Sequence, residues 1–90
     1  MTGRDIRLTL IGKPGCHLCD DARDVVAAVR DELAANPDAP ATELDELSIL
    51  DDEELAARYA EEIPVLLVDG EMHAYWRVDP VRLKTALLAD

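Results

Sequence analysis

From Ile6 to Ile11 the chain reads Ile-Arg-Leu-Thr-Leu-Ile, which puts Ile6, Leu8 and Leu10 on one side of an extended segment. This predicts a first strand. Gly12-Lys13-Pro14-Gly15 ends it, and Leu18, Ala22, Val25/Val26, Val29 and Leu33 then recur at spacings of three and four. That period is helical, so an amphipathic helix begins at or beside Cys16 and Cys19 and stops near Asn36, before Pro37. A loop through Pro40 follows. In the segment Leu44 to Ile49, Leu47 and Ile49 alternate and Leu44 falls out of phase, which predicts a second strand. Asp51 with Glu54 forms a capping-box variant ahead of Leu55 and Tyr59, predicting a short helix from Asp52 to about Ala60. Val65-Leu66-Leu67-Val68 is a continuous apolar run of the kind buried on both faces, and Asp69-Gly70 is a two-residue hairpin signal leading into Glu71 to Trp76. Asp79 before Pro80 marks the start of a last helix with Leu83 and Leu87 on one side.

The predicted order is β-α-β-α-β-β-α. A helical crossover makes the first two strands parallel and right-handedly joined, while the hairpin makes the last two antiparallel. The expectation is an α/β fold, a four-stranded mixed sheet in one domain spanning residues 1–90. The chain has 90 residues, 49% hydrophobic and 32% charged, enough for one modest core. Nine Lys and Arg against 20 Asp and Glu give a net charge of -11, which repels nucleic-acid phosphates and anionic lipid surfaces. Neither is an expected partner. No apolar run reaches the ~20 residues that span a bilayer, and the stretch from Met1 to Asp5 is polar. The expected compartment is the cytoplasm, where two cysteines are read as catalytic or metal-binding before they are read as structural.

Cys16-His17-Leu18-Cys19 stands past the end of the first strand and at the mouth of the first helix. At a helix start, backbone N–H groups lack partners and the macrodipole is positive, which favours an anionic sulfur. Cys16, the outer thiol, then attacks a substrate disulfide, and Cys19, about a turn further in, resolves the mixed disulfide by forming Cys16–Cys19. Lys13 and a protonated His17 favour the thiolate electrostatically, whereas Asp20, Asp21 and Asp24 oppose it. Two other readings of the pair stand beside this one. The cysteines could be half of a metal or iron–sulfur site shared between two chains, with His17 or His73 as further ligands. They could also be idle in an adaptor that borrows the fold.

A strand, a Cys-x-x-Cys at a helix start, a second strand–helix unit, and Ile63-Pro64-Val65 opening a hairpin before a final helix resemble the thioredoxin fold. More narrowly, Lys13-Pro14-Gly15-Cys16-His17-Leu18-Cys19-Asp20, with Arg58 to Leu66 and Trp76-Arg77-Val78-Asp79, resembles the small bacterial glutaredoxin-like proteins. The resemblance implies a cis Ile63-Pro64 bond, with Pro64 facing the cysteines and Ile63 offering its backbone to an extended substrate. It also sets Lys13 where glutaredoxins hold a lysine that meets a carboxylate of glutathione; a solvated loop lysine is the alternative. Two departures stand out. The dipeptide between the cysteines is His17-Leu18 where glutaredoxins carry Pro-Tyr, and no glycine-rich turn precedes Asp79, the position that binds the glutathione amine in that family. Asp79 is therefore either a ligand residue or only a helix cap.

His17 is a candidate proton donor beside Cys16, and an exposed helix-start residue otherwise. Tyr59, Tyr75 and Trp76 are all the aromatics and are read as packing residues in preference to a substrate platform; His73 is read as a solvent-facing strand residue. The sequence thus points to a monomeric thiol–disulfide oxidoreductase with Cys16 and Cys19 catalytic, and Lys13, His17, Ile63, Pro64 and Asp79 binding substrate. No metal or tightly bound cofactor is expected. The expected partners are a disulfide-containing protein or a glutathione mixed disulfide, with glutathione as co-substrate.

Overall fold

Alternation, punctuation and capping in the sequence resolve into seven elements in the computed structural model, which describes residues 5–89; Met1 to Arg4 and Asp90, parts of the predicted polar start and last helix, lie outside the described residues. They are β1 (Asp5–Gly12), α1 (His17–Ala34), β2 (Ala41–Ser48), α2 (Glu53–Tyr59), β3 (Val65–Val68), β4 (Glu71–Tyr75) and α3 (Pro80–Leu88). The order is the predicted one. The sheet runs β2-β1-β3-β4, with β1 parallel to β2 and antiparallel to β3, and β3 antiparallel to β4. This is an α/β fold with a four-stranded mixed sheet, the thioredoxin architecture. No helix among the described residues is long and apolar enough to cross a membrane.

Period two in β1 sends Ile6, Leu8 and Leu10 to the side of the sheet that α1 and α3 cover. There they pack with Ala22, Val26, Val29 and Leu33 of α1, Leu66 of β3, and Leu83 and Leu87 of α3. Ile11 and Val65, paired in register, are equally buried but lie outside that cluster on the other side. The hairpin turn is made as predicted, with Asp69 and Gly70 at φ 51° and 85°, the left-handed pair that matches the twist of adjoining strands. Asp79 caps α3, its Oδ1 accepting the N–H of Val81 at 2.8 Å and of Arg82 at 3.2 Å.

Four expectations need correction. In β2 the residue that packs on the core is Leu44, opposite Leu8, while Leu47 is 44% exposed and Ile49 lies past the strand end. The reason is side-chain pairing on both sides of an edge strand. Thr42 and Glu46, in phase with Leu44, bond Arg30 and Arg23 of α1, whereas Glu43 and Asp45 pair with Arg7 on the other side. The cap of α2 is Asp52, in extended geometry with its Oδ1 accepting from Glu54 and Leu55; Asp51 lies one residue before it, its N–H closing a turn to the Ser48 carbonyl at 3.1 Å. His73 is half-buried. It is the extra residue of a bulge between the pairs Leu66–Ala74 and Leu67–Met72, its Nε2 is buried without a hydrogen-bond partner, and desolvation, then the charge of Arg82, lowers its pKa. Finally, Tyr75 and Trp76 are 46% and 52% exposed, so neither is a core packing residue.

Candidate functional site

The end of β1 delivers the chain to the cysteines through two glycines with different jobs. Gly15 adopts φ 78°, a left-handed turn that suits a residue without Cβ. Gly12 is needed for proximity, since a Cβ there would stand 2.8 Å from the Cys19 Sγ. The sequence reads Gly12 only as a strand breaker. No local pattern distinguishes that from a close approach.

Cys16 is the N-cap of α1, in extended geometry, a place usually taken by Ser, Thr, Asp or Asn. Its Sγ accepts the backbone N–H of Cys19 at 3.2 Å, so one of the helix's free donors points at sulfur. Cys16 is partly exposed; Cys19 is 2% exposed. Both are free thiols. Burial pushes the Cys19 thiol up to about 11, as does its hydrogen bond with Cys16, against the smaller opposing pulls of the Lys13 backbone and the Arg23 charge. Arg23 is fixed by Asp20 at 3.0 Å and Glu46 at 2.7 Å and lines, with Cys19 and Lys13, a hollow of about 350 Å³ between α1 and β2.

The shift of Cys19 has a measurable consequence. An unfolded thiol loses its proton near pKa ~8.5, whereas the folded chain keeps that proton to about pH 11. Between those values the unfolded state binds fewer protons, so the stability of the dithiol protein falls as pH rises. The disulfide form has no such proton to hold. Urea midpoints at pH 8 and pH 10.5 should therefore drop further for the reduced than for the oxidised protein, and equal drops would refute the assignment.

The remaining predicted residues are distributed around this pair. Lys13 is an exposed loop residue and His17 the exposed first residue of α1. Pro64 is buried, Ile63 half-buried, and the bond between them is cis. Because Ile11 pairs with Val65, Pro64 lies alongside Gly12, at the sheet end from which the cysteine loop leaves. Asp79 lines, with Leu18, Ala22, Val25, Trp76 and Val78, a groove of about 460 Å³ between α1 and the Trp76–Pro80 segment. Trp76, which the sequence reading treats as packing, links this groove to Pro64. Its N–H donates to the Pro64 carbonyl at 2.8 Å, and its Nε1–H to the Glu61 carbonyl at 3.0 Å. Among the described residues no three His, Cys, Asp or Glu side chains gather as a metal site.

A four-stranded mixed sheet with a Cys-x-x-Cys capping its first helix and a buried proline beside it defines a member of the thioredoxin superfamily. Within it, the chain belongs to the glutaredoxin-like domain family (DUF836), whose model matches residues 7–88. An uncharacterized protein of Mycobacterium tuberculosis and one of Mycobacterium bovis are each 30% identical over 78 residues, 87% of this chain and 78% of theirs. The fold is similar to the X-ray structure of a protein from X. campestris, at TM-score 0.68 and 31% identity over 89% of this chain and 93% of that one. A Nitrosomonas europaea protein solved by NMR gives TM-score 0.70 at 22% identity over 97% and 96% of the two chains. A mutant thioredoxin from Halobacterium salinarum gives 0.57 at 24% over 93% and 73%. These last two bear on the fold alone.

Proposed function

We propose that this protein is a thiol–disulfide oxidoreductase in which Cys16 is the nucleophile and Cys19 the resolving thiol. The observation that carries the reading is the asymmetry of the pair: an accessible sulfur at a helix N-cap, within hydrogen-bond reach of a second sulfur that is 2% exposed. In the first step the Cys16 thiolate attacks one sulfur of a substrate disulfide, forming a mixed disulfide and expelling the other sulfur as a thiolate. In the second, Cys19 gives up its proton and attacks the Cys16 Sγ, which forms Cys16–Cys19 and releases the second substrate thiol. The substrate gains two electrons and two protons. A thiol reductant, glutathione or a dithiol protein, returns the pair to the starting state, as a reducing compartment such as the cytoplasm provides.

Around these sulfurs, the Ile63 backbone beside Pro64 offers hydrogen bonds to an extended substrate. His17 exchanges a proton with the leaving thiolate. Lys13 meets a substrate carboxylate. Asp79 caps α3 through Oδ1 and also binds substrate. A Cys19→Ser variant tests the two-step route: incubated with an oxidised protein substrate, it should accumulate a mixed disulfide through Cys16, visible by mass and released by dithiothreitol. If Cys19→Ser traps nothing while the parent protein turns over, the sequence of steps is wrong.

A further inference from the structure

We propose that the groove between α1 and the Trp76–Pro80 segment receives the substrate, and that it fits a protein segment with an aliphatic side chain next to a lysine or arginine in preference to glutathione. The inference rests on the thiol–disulfide reading and names the substrate class for that site. Position comes first. Leu18 lies two residues beyond Cys16, and Trp76 on the opposite wall is joined to the Pro64 carbonyl, so the groove starts at the cysteine end of the sheet and runs along α1 past Ala22 and Val25. A chain whose disulfide is presented to Cys16 enters it with its neighbouring residues.

The lining decides what those residues are. Leu18, Ala22, Val25 and Val78 form an apolar floor, and Trp76 a large ring at its edge. Trp76 is 52% exposed with φ 66°, a conformation costly for a bulky residue that a merely solvated side chain would not need. Its indole is anchored by the Glu61 carbonyl and set edge-on against Tyr75, centroids 5.1 Å apart. The backbone strain thus buys a fixed aromatic wall. Asp21 and Asp79 line the groove against one cation, Arg77, on a chain of net charge -11. Asp21 joins no ion pair among the described residues. Glutathione brings two carboxylates, one amine and no aliphatic side chain, so it gains little from the floor and meets like charge at the rim. A cationic, apolar peptide satisfies both.

The test uses the full reduced chain and three probes: a peptide disulfide with Leu-Lys beside the cysteine, one of equal length with Ser-Glu there, and glutathione disulfide. Exchange rates are normalised to those of the same disulfides with dithiothreitol. The Leu-Lys peptide should react ~10-fold faster or more than either other probe at low ionic strength, with the ratio shrinking as salt is added. It should also shrink in Asp21→Asn/Asp79→Asn, which keeps a capping side chain on α3. Equal normalised rates, or a preference for glutathione disulfide, overturn the proposal while leaving the oxidoreductase reading in place. Failure of all three probes to react overturns both.

Discussion

Cys16→Ser loses disulfide exchange entirely, to the uncatalysed background, while the variant keeps its fold and melting temperature within a few degrees. The expectation follows from where the sulfur sits. Cys16 caps α1 through its side chain, and serine is a preferred residue at that position, so the hydroxyl can take over the Cys19 N–H bond at little cost to the helix. What serine cannot do is act as the thiolate nucleophile or form the mixed disulfide. Cys19, left alone, does not substitute, because it is 2% exposed and the burial that does most to raise its pKa remains. Reduction of a disulfide substrate, followed with circular dichroism as the control for folding, checks this. Residual turnover above a few per cent would show that the reaction does not pass through Cys16.

The largest expected loss of stability comes from Leu66→Ala. Leu66 is fully buried in β3, between β1 and β4, where its register partners are Leu10 and Ala74, and it packs into the cluster that joins the sheet to α1 and α3. Truncating such a leucine costs about 2–5 kcal/mol, since the rigid surroundings close the cavity only in part. A domain of this size has roughly 5–15 kcal/mol in all, so the melting temperature should fall by more than ~10 °C. Val81→Ala, at a residue 70% exposed on α3, should change stability by less than ~0.5 kcal/mol. Thermal and urea unfolding of the two variants side by side decide whether the cluster is the core.

Much of the fold is legible because its signals are local. The alternation of Ile6, Leu8 and Leu10, the Asp69-Gly70 turn and the Asp79-Pro80 cap each determine a backbone conformation within a few residues, and the structure has all three. The phase of β2 is different. Which of Leu44 or Leu47 faces the core depends on register with β1 and on Arg23 and Arg30 reaching across from α1, and neither is encoded within the strand. The placement of Cys16 and Cys19 at a helix start was readable from spacing plus punctuation. Three further parts of the site were not. Gly12 matters for an approach to Cys19 that only the folded loop creates, Trp76 for a left-handed backbone that aromatic residues rarely adopt, and the groove for the meeting of α1 with a segment about 55 residues away in sequence. His73 became half-buried because a bulge turns it out of the strand's alternation, and bulges leave no reliable mark in sequence.

An equilibrium redox titration of the Cys16–Cys19 pair bears most directly on the account, with thiols trapped by alkylation and counted by mass and the fluorescence of Trp76, the sole tryptophan, as a second probe. One two-electron transition is expected between dithiol and intrachain disulfide, at a potential within roughly -180 to -270 mV, the range of thioredoxin-fold dithiol carriers. A chain whose two cysteines never join across that range would contradict it.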